Sequence, residues 1–406
     1  MKTLLQINSV VNSGSTGRIA EEIGRTAIAN GWQSYIAYGR NERPSKSKLI
    51  KIGNKWDVRM HGLQTRIFDN HGLASKNATK KFISTIERIN PDIIHLHNLH
   101  GYYINYEILF SFLKSSNIPV IWTLHDCWPF TGHCAYFDFV GCNKWKSICY
   151  QCPLKKSYPT SYIFDRSKKN FSLKKELFIS VKKITLVPVS NWLAILLKQS
   201  FLKDISIQVI NNGINTSIFK PDLVPSIKKK FNLEDKFIII GVASVWGQRK
   251  GFQDFIKLAQ ELDSSYQIIL VGVDSPQLKL LPKNIIGIRK TESVTELAEV
   301  YSAGDVFVNP TYEDNFPTTN LESLACGTPV ITYKTGGSPE AIDSTTGIVV
   351  EKGDFNGLVS AIREIKKNGK DYYYSACVKR AKELYNKEDR YQEYIDLYNK
   401  MLSTQN

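Results

Sequence analysis

Thr3-Leu4-Leu5-Gln6-Ile7-Asn8-Ser9 leads through Asn12-Ser13-Gly14-Ser15-Thr16-Gly17 into the segment Arg18 to Asn30. The first stretch is a short apolar run of strand length. The second is a glycine turn. In the third, Ile19, Ile23 and Ala27 recur every four residues on one face, and Asn30-Gly31 closes a helix. Strand, glycine turn and helix begin a βαβ unit, the building block of a parallel α/β sheet. Backbone N–H groups at such a helix start can bind phosphate, which makes Gly14 and Gly17 candidate ligand positions. The spacing is not GxGxxG, so a plain tight turn is the other reading.

Further strands are expected at 35–38, 93–97, 120–124 and 184–189, with spacers long enough for helices. Ligands of parallel sheets bind beyond the carboxyl ends of strands. Two histidines occupy such ends. His97 closes Ile93-Ile94-His95-Leu96-His97, and His125-Asp126 follows Ile121-Trp122-Thr123-Leu124. A lone histidine is more often structural, but the strand end favours function for both, and the adjoining carboxylate favours His125 more. Asn211-Asn212-Gly213 is a turn that opens a second series, with strands at 237–242, 267–271, 285–288, 305–308, 330–332 and 348–350. The pattern predicts two Rossmann-like parallel α/β domains facing across a cleft: residues 1–212, residues 213–385, and a terminal helix over 386–406 packing back on the first domain.

Length agrees, since 406 residues at roughly 100–200 per domain suggest two domains. With 42% hydrophobic and 22% charged residues, a mainly disordered chain is excluded. No apolar run approaches the ~18 residues of a spanning helix. Met1-Lys2-Thr3-Leu4-Leu5-Gln6 turns polar too soon for a secretory signal. A cytoplasmic protein is expected, with its seven cysteines present as thiols or metal ligands. Cys134, Cys142, Cys149 and Cys152 fall in one loop-like insertion (127–153), and Cys149-Tyr150-Gln151-Cys152 is a CxxC. A structural zinc and reduced thiols both fit this spacing. Lys and Arg exceed Asp and Glu by 53 to 38, a net +15 that favours an anionic partner. Between Lys155 and Lys183, nine basic residues meet two acids, with aromatics interleaved. That segment is either a solvated helix face or a surface for anionic lipid headgroups.

In the second half, Gln248-Arg249-Lys250-Gly251 follows a strand. Glu313-Asp314-Asn315-Phe316-Pro317-Thr318-Thr319-Asn320-Leu321-Glu322 follows another. Together with Ser302-Ala303-Gly304-Asp305-Val306-Phe307-Val308-Asn309-Pro310, Ala325-Cys326-Gly327-Thr328-Pro329-Val330-Ile331 and Gly336-Gly337-Ser338-Pro339-Glu340, these motifs resemble family 4 glycosyltransferases of the GT-B fold. Pro91-Asp92-Ile93-Ile94-His95-Leu96-His97-Asn98, His125-Asp126-Cys127-Trp128-Pro129-Phe130-Thr131-Gly132 and the four-cysteine segment resemble the colanic-acid and capsule branch. The resemblance implies that Lys250, with Arg249 beside it, neutralises a donor diphosphate. It implies that the N–H groups of Thr318, Thr319 and Asn320 point at phosphate. Glu322 matches the acid that holds the nucleotide ribose, and Asp314 the acid that binds the donor sugar. Asp314 is selected over Glu313 by the seven residues that separate it from Glu322. The family's arginine before Lys-Gly is missing from Ala243-Ser244-Val245-Trp246-Gly247, so either Arg249 does that work or the role is lost.

The resulting expectation is a retaining transferase that moves a sugar from a nucleotide-diphosphate sugar to a lipid-linked or other saccharide acceptor in surface polysaccharide assembly. His125, Asp314 and Lys250 would be catalytic, and His97 and Asp126 would lie on the acceptor side. Catalysis would need no cofactor. The protein would sit peripherally on the inner membrane face. A sugar-nucleotide epimerase of the same fold is one alternative. A basic nucleic-acid-binding protein is another, disfavoured because the charge concentrates away from the sugar-nucleotide motifs.

Overall fold

A computed structural model describes residues 1–221 and 226–403. The chain divides into two compact units, residues 1–211 with 388–406, and residues 212–387. Residues 404–406, the end of the expected terminal helix, lie outside the described residues.

The first unit carries seven strands: β1 (Thr3–Asn8), β2 (Gln33–Tyr38), β3 (Lys48–Lys51), β4 (Ile93–Leu96), β5 (Val120–Leu124), β6 (Ile184–Pro188) and β7 (Ser206–Ile207). They form one sheet in the order β3-β2-β1-β4-β5-β6-β7, and every pair is parallel. Leu4 of β1 lies between Ser34 and Ile93 in register. The central strands β4, β5 and β6 are buried throughout, as helices covering both faces of a parallel sheet require. Edge strand β3 begins and ends in exposed lysines, which discourage pairing with another chain.

The second unit repeats the plan with β8 (Phe237–Val242), β9 (Tyr266–Val271), β10 (Ile285–Ile288), β11 (Val306–Asn309), β12 (Val330–Tyr333) and β13 (Gly347–Val350). Their order is β10-β9-β8-β11-β12-β13, again all parallel. In each sheet the order reverses once, at β1/β4 and at β8/β11. The crevice beyond the carboxyl ends of those strands is the preferred ligand position in such sheets.

The last helix, Lys387–Ser403, belongs almost wholly to the first unit. Tyr391, Tyr394, Ile395, Leu397 and Tyr398 are buried in one cluster with Leu4, Ile23, Trp32, Ile93 and Ile121. Its tyrosines also satisfy buried polar groups of the sheet. Tyr398 Oη lies 2.7 Å from His95 Nδ1, and Tyr394 Oη accepts a 3.1 Å bond from the Thr123 hydroxyl.

The basic segment 155–183 is not one surface. Its second part is the helix Ser167–Phe178, with Phe171, Lys174 and Phe178 on the buried face. The Lys174 ammonium donates to the carbonyls of Trp128 (2.7 Å) and Thr131 (3.0 Å) and lies 3.4 Å from the centre of the Trp128 ring. Burial pushes its pKa down to about 7. Lys174 therefore braces the loop after β5 and adds nothing to an electrostatic surface.

Candidate active site

The crevice at β1/β4 is lined by three loops. The β1 loop supplies Ser9, Ser13 and Gly14, the β4 loop Asn98 and His100, and the β5 loop Asp126. Arg40 after β2, with Tyr136 and Tyr158, closes a cavity of about 400 Å³. Helix α1 (Gly14–Ala29) starts on this cavity. Gly14 holds φ +63°, a conformation that glycine adopts without strain, and its N-cap Ser13 makes no side-chain capping bond. Gly17 has another role. A Cβ there would meet Val10 Cγ2 at 3.0 Å and Asn12 N at 3.2 Å, so this glycine lets the helix close on its own loop. It was expected to bind the donor, but close packing accounts for it.

Two histidine systems stand at the sheet end. His97 is 1% exposed, and both its ring nitrogens are used: Nε2 lies 3.0 Å from Gln6 Oε1, and Nδ1 lies 3.1 Å from His125 Nε2. The Gln6 amide nitrogen donates to the Ala20 carbonyl (2.8 Å), so its oxygen faces His97. His97 Nε2 then carries the proton, and its Nδ1 accepts from His125 Nε2–H. His97 is thus too buried to touch an acceptor, and it corrects to a residue that orients His125. The rings of the two stack at 5.4 Å. Burial pushes His125 down to about 4, against the pull of Asp126, so its imidazole is neutral near pH 7.

The second system joins Asp126, His100 and Tyr158. His100 Nε2 lies 2.6 Å from Asp126 Oδ2, and His100 Nδ1 lies 2.9 Å from Tyr158 Oη. Asp126 Oδ1 accepts the Trp128 N–H at 2.9 Å. Burial alone would raise the Asp126 pKa, but His100 and the Trp128 N–H hold it below the usual carboxylate range. An ionised Asp126 fixes the His100 proton on Nε2, and Nδ1 accepts from the tyrosine. Sequence reasoning named Asp126 but missed His100, Tyr158 and Arg40. The only local signal was a third histidine soon after β4. Tyr158 and Arg40 come from loops far away in the chain.

In the second unit, the loops after β8 and β11 meet at the other reversal point. Gly251 (φ +71°) ends the short turn Gln248–Lys250, and a Cβ there would strike the Pro310 carbonyl at 2.2 Å. That close approach brings Lys250 onto Asp314, with which it forms an ion pair. The Arg249 guanidinium donates to the Glu313 carbonyl at 2.6 Å. Lys250 and Arg249 outweigh burial and keep the Asp314 carboxyl below its ordinary range. Glu313 is fully buried. Asp314 is the acid that pairs with Lys250. The Gly336-Gly337 turn supports it from behind, where the Gly337 N–H donates to the Asp314 carbonyl at 3.1 Å.

The helix Thr318–Ala325 is capped by Pro317, which has no side chain to accept the N–H groups of Thr318 and Thr319. Asn320 does not share that role. Its N–H bonds the Pro317 carbonyl (3.2 Å), its side-chain oxygen accepts from Asn309 (2.8 Å), and its amide donates to the Ser338 carbonyl (3.2 Å). It is a fully buried brace between loops, contrary to expectation. Glu322 is partly exposed and accepts a 2.9 Å bond from the buried Tyr301 hydroxyl, which orients it. Tyr301 was also missed.

The four cysteines of the insertion, with His133, line one small pocket. Cys134 and Cys152 hydrogen-bond through their thiols. Among the described residues, however, no three His, Cys, Asp or Glu side chains are grouped to hold a metal ion. Cys134 is raised well above the usual thiol range by its bond to Cys152 and by burial, and burial pushes Cys149 up to about 11, whereas the bond from Cys134 pulls Cys152 down to about 7. Zinc needs thiolates. Structural zinc and reduced thiols are the two readings of this pocket, and metal analysis separates them. Protein purified without added zinc decides it: one zinc per chain assigns the site to metal, and four free, titratable thiols reject it.

The model of Glycosyltransferase Family 4 matches residues 16–218, half of the chain, and that of Glycosyl transferases group 1 matches residues 235–368. The chain belongs to glycosyltransferase family 4. This transferase is 23% identical over 412 residues to a protein of Escherichia coli K12 named as a colanic acid biosynthesis glycosyl transferase, covering 97% of this chain and 99% of that one. Over 217 residues it is 30% identical to the N,N'-diacetylbacillosaminyl-diphospho-undecaprenol α-1,3-N-acetylgalactosaminyltransferase of Campylobacter jejuni, covering 50% of this chain and 57% of the relative. Among solved structures, the sucrose-phosphate synthase of Thermosynechococcus elongatus superposes with a TM-score of 0.74 at 18% identity over the whole of both chains. HepE of Anabaena in complex with UDP-glucose gives 0.66 at 13%, also over both whole chains. These likenesses establish the GT-B fold of the transferase.

Proposed function

We propose that this transferase moves a sugar, with retention at the anomeric carbon, from a nucleotide-diphosphate sugar to a lipid-linked saccharide in surface polysaccharide assembly at the cytoplasmic membrane face. The observation that carries the reading is the convergence of Lys250, Arg249 and Asp314 on one side of β8/β11. The UDP-glucose bound by HepE and the lipid-linked acceptor in the name of the Campylobacter relative support it. In the front-side mechanism, the acceptor oxygen bonds the anomeric carbon as the bond to the diphosphate oxygen breaks. The acceptor's proton passes to that departing oxygen. Lys250 and Arg249 stabilise the growing phosphate charge, and Asp314 orients Lys250 and the donor sugar. The N–H groups of Thr318 and Thr319 point at phosphate, and Glu322 holds the ribose. His125 orients the donor sugar, and the Asp126–His100–Tyr158 cavity receives the acceptor.

Lys250→Ala and Glu322→Ala are each expected to lower kcat/KM by about tenfold or more while the fold persists, because each deletes a charged hydrogen bond of about 1.5–3 kcal/mol. Near-wild-type turnover in either variant removes the donor-site assignment. Incubating candidate nucleotide sugars with and without acceptor tests the reaction class. Nucleotide release that needs acceptor supports transfer, whereas full conversion of donor alone to an epimer favours the epimerase.

A further inference from the structure

Helix α2 (Lys55–Phe68) is amphipathic in the wrong sense for a soluble protein. At 100° per residue, Trp56, Met60, Leu63 and Ile67 share one narrow stripe. Trp56 is 69% exposed, Met60 48% and Leu63 47%. The buried residues on the opposite side are His61, Gly62 and Thr65. The apolar stripe thus faces solvent, while a histidine and a threonine face the protein. Next to the end of α2 lies a second apolar element. Tyr162, Ile163 and Phe164 are 62%, 61% and 52% exposed. The Tyr162 N–H donates to the Arg66 carbonyl (2.8 Å) and the Phe164 N–H to the Ile67 carbonyl (3.1 Å), so the segment is fastened to the helix. Phe164 stacks on exposed Phe68 at 5.8 Å. Two elements distant in sequence therefore present one apolar face.

Basic residues outnumber acids around this face. Lys55, Arg59 and Arg66 are exposed along one flank of the α2 stripe, and the Arg59 guanidinium lies 5.4 Å from the Trp56 ring centre. Lys155 donates to the Ile163 carbonyl. Lys156, Lys168 and Lys169, close in sequence to the second element, are exposed as well. The acids of the two segments are engaged with backbone N–H groups: Asp57 with that of Asn54, and Asp165 with those of Cys152 and Ser167. No helix among the described residues is long and apolar enough to cross a membrane.

We infer that the α2 stripe and Tyr162–Phe164 insert together into the headgroup region of an anionic bilayer, with the surrounding lysines and arginines on the lipid phosphates. An amphipathic helix with aromatic and aliphatic side chains on one face and basic ones beside it binds membranes in this way. Lipid is favoured over a second copy because a self-paired face would set Lys55, Arg59 and Arg66 against like charges. The inference deepens the membrane reading proposed above and rests on it for the location of the acceptor. It differs in assigning part of the binding to insertion.

Sedimentation of the full chain with vesicles of phosphatidylcholine, and of phosphatidylcholine mixed with phosphatidylglycerol, tests it at low and high salt. Wild type is expected to bind the mixed vesicles and to keep part of that binding in high salt. Trp56→Ser and Ile163→Ser are each expected to weaken binding by about tenfold, since each removes an apolar group worth at least that factor. What remains should be fully salt-sensitive. Turnover on a detergent-solubilised acceptor should not change, because neither residue lies in the catalytic machinery. Wild-type binding by both variants overturns the inference and leaves the basic segment as the sole membrane contact. Wild type that ignores vesicles and dimerises, while Trp56→Ser stays monomeric, overturns it in favour of a copy interface. Loss of turnover by wild type on every acceptor would instead count against the transferase reading, independently of the vesicle result.

Discussion

Lowering the pH from about 7 to about 5.5 is expected to cost the first unit several kcal/mol of stability. His71, His95 and His97 are buried and held neutral, burial being the main cause in each, with neighbouring histidines adding to it. Burial pushes His61 down to about 3. In the unfolded chain these imidazoles titrate near 6.5. Above that value the folded and unfolded states bind the same number of protons at these sites, and the stability is fully present. Below it, the unfolded state takes up protons that the folded state refuses, so stability falls with falling pH. One pH unit below 6.5, each group contributes about 1.4 kcal/mol, and with His125, which burial pushes down to about 4, five of them approach the whole stability of an ordinary domain. His133 works in the other direction, because its 2.6 Å bond to Asp69 raises its pKa despite burial, and it offsets part of the loss. All seven histidines of the sequence lie in the first unit. The second unit is thus an internal control. Hydrogen exchange measured unit by unit across this pH range should show protection lost from the first sheet and kept in the second. Equal loss in both, or none in either, contradicts the account.

His125→Ala is expected to lower kcat by on the order of 10²-fold, with a much smaller change in nucleotide affinity. The proposed task of His125 is orientation, and a displacement of ~1 Å at a reacting centre costs about that factor. Its neutral ring at about pH 7 suits hydrogen bonding to a sugar rather than charge neutralisation. The Gln6–His97–His125 chain fixes its tautomer, so Gln6→Ala should lower kcat in the same sense and by less. A histidine that merely fills the end of β5 would behave differently. Its loss would reduce the melting temperature and leave kcat unchanged at low temperature. Measuring kcat, nucleotide-diphosphate Kd and Tm on the one variant separates the two roles.

The six strands of the second unit were legible because each is an apolar run bounded by turn residues, and all six are found. In the first unit β3 and β7 were not read. Lys48-Leu49-Ile50-Lys51 is a lysine-bounded edge and β7 has two residues, so neither carries a burial pattern. Asp314 was selected from its spacing to Glu322; that it pairs with Lys250, 64 positions away, only the fold shows. Gly17, Asn320 and His97 were misread in one way. Each stands at the correct end of a strand or helix, but its free surface or its hydrogen bonds are taken by a neighbour, from its own loop for Gly17 and from other elements for Asn320 and His97.

The sequence by itself determined the α/β class, the break near residue 212, and the loops that bear the chemistry. These follow from periodicity, turn residues and short spacings, which act within a few residues of the chain. Only the tertiary structure decided that Lys174 is buried under Trp128 and that Asp126 is held by His100 and Tyr158. It alone decided that the apolar stripe of α2 faces outward, and that the four cysteines of the insertion line one pocket. Each of these depends on which elements stack on which, and so on the burial of one side chain by residues tens to hundreds of positions away. Burial in turn sets the protonation and hydrogen-bond partner of every group in the site, and local sequence carries no record of it.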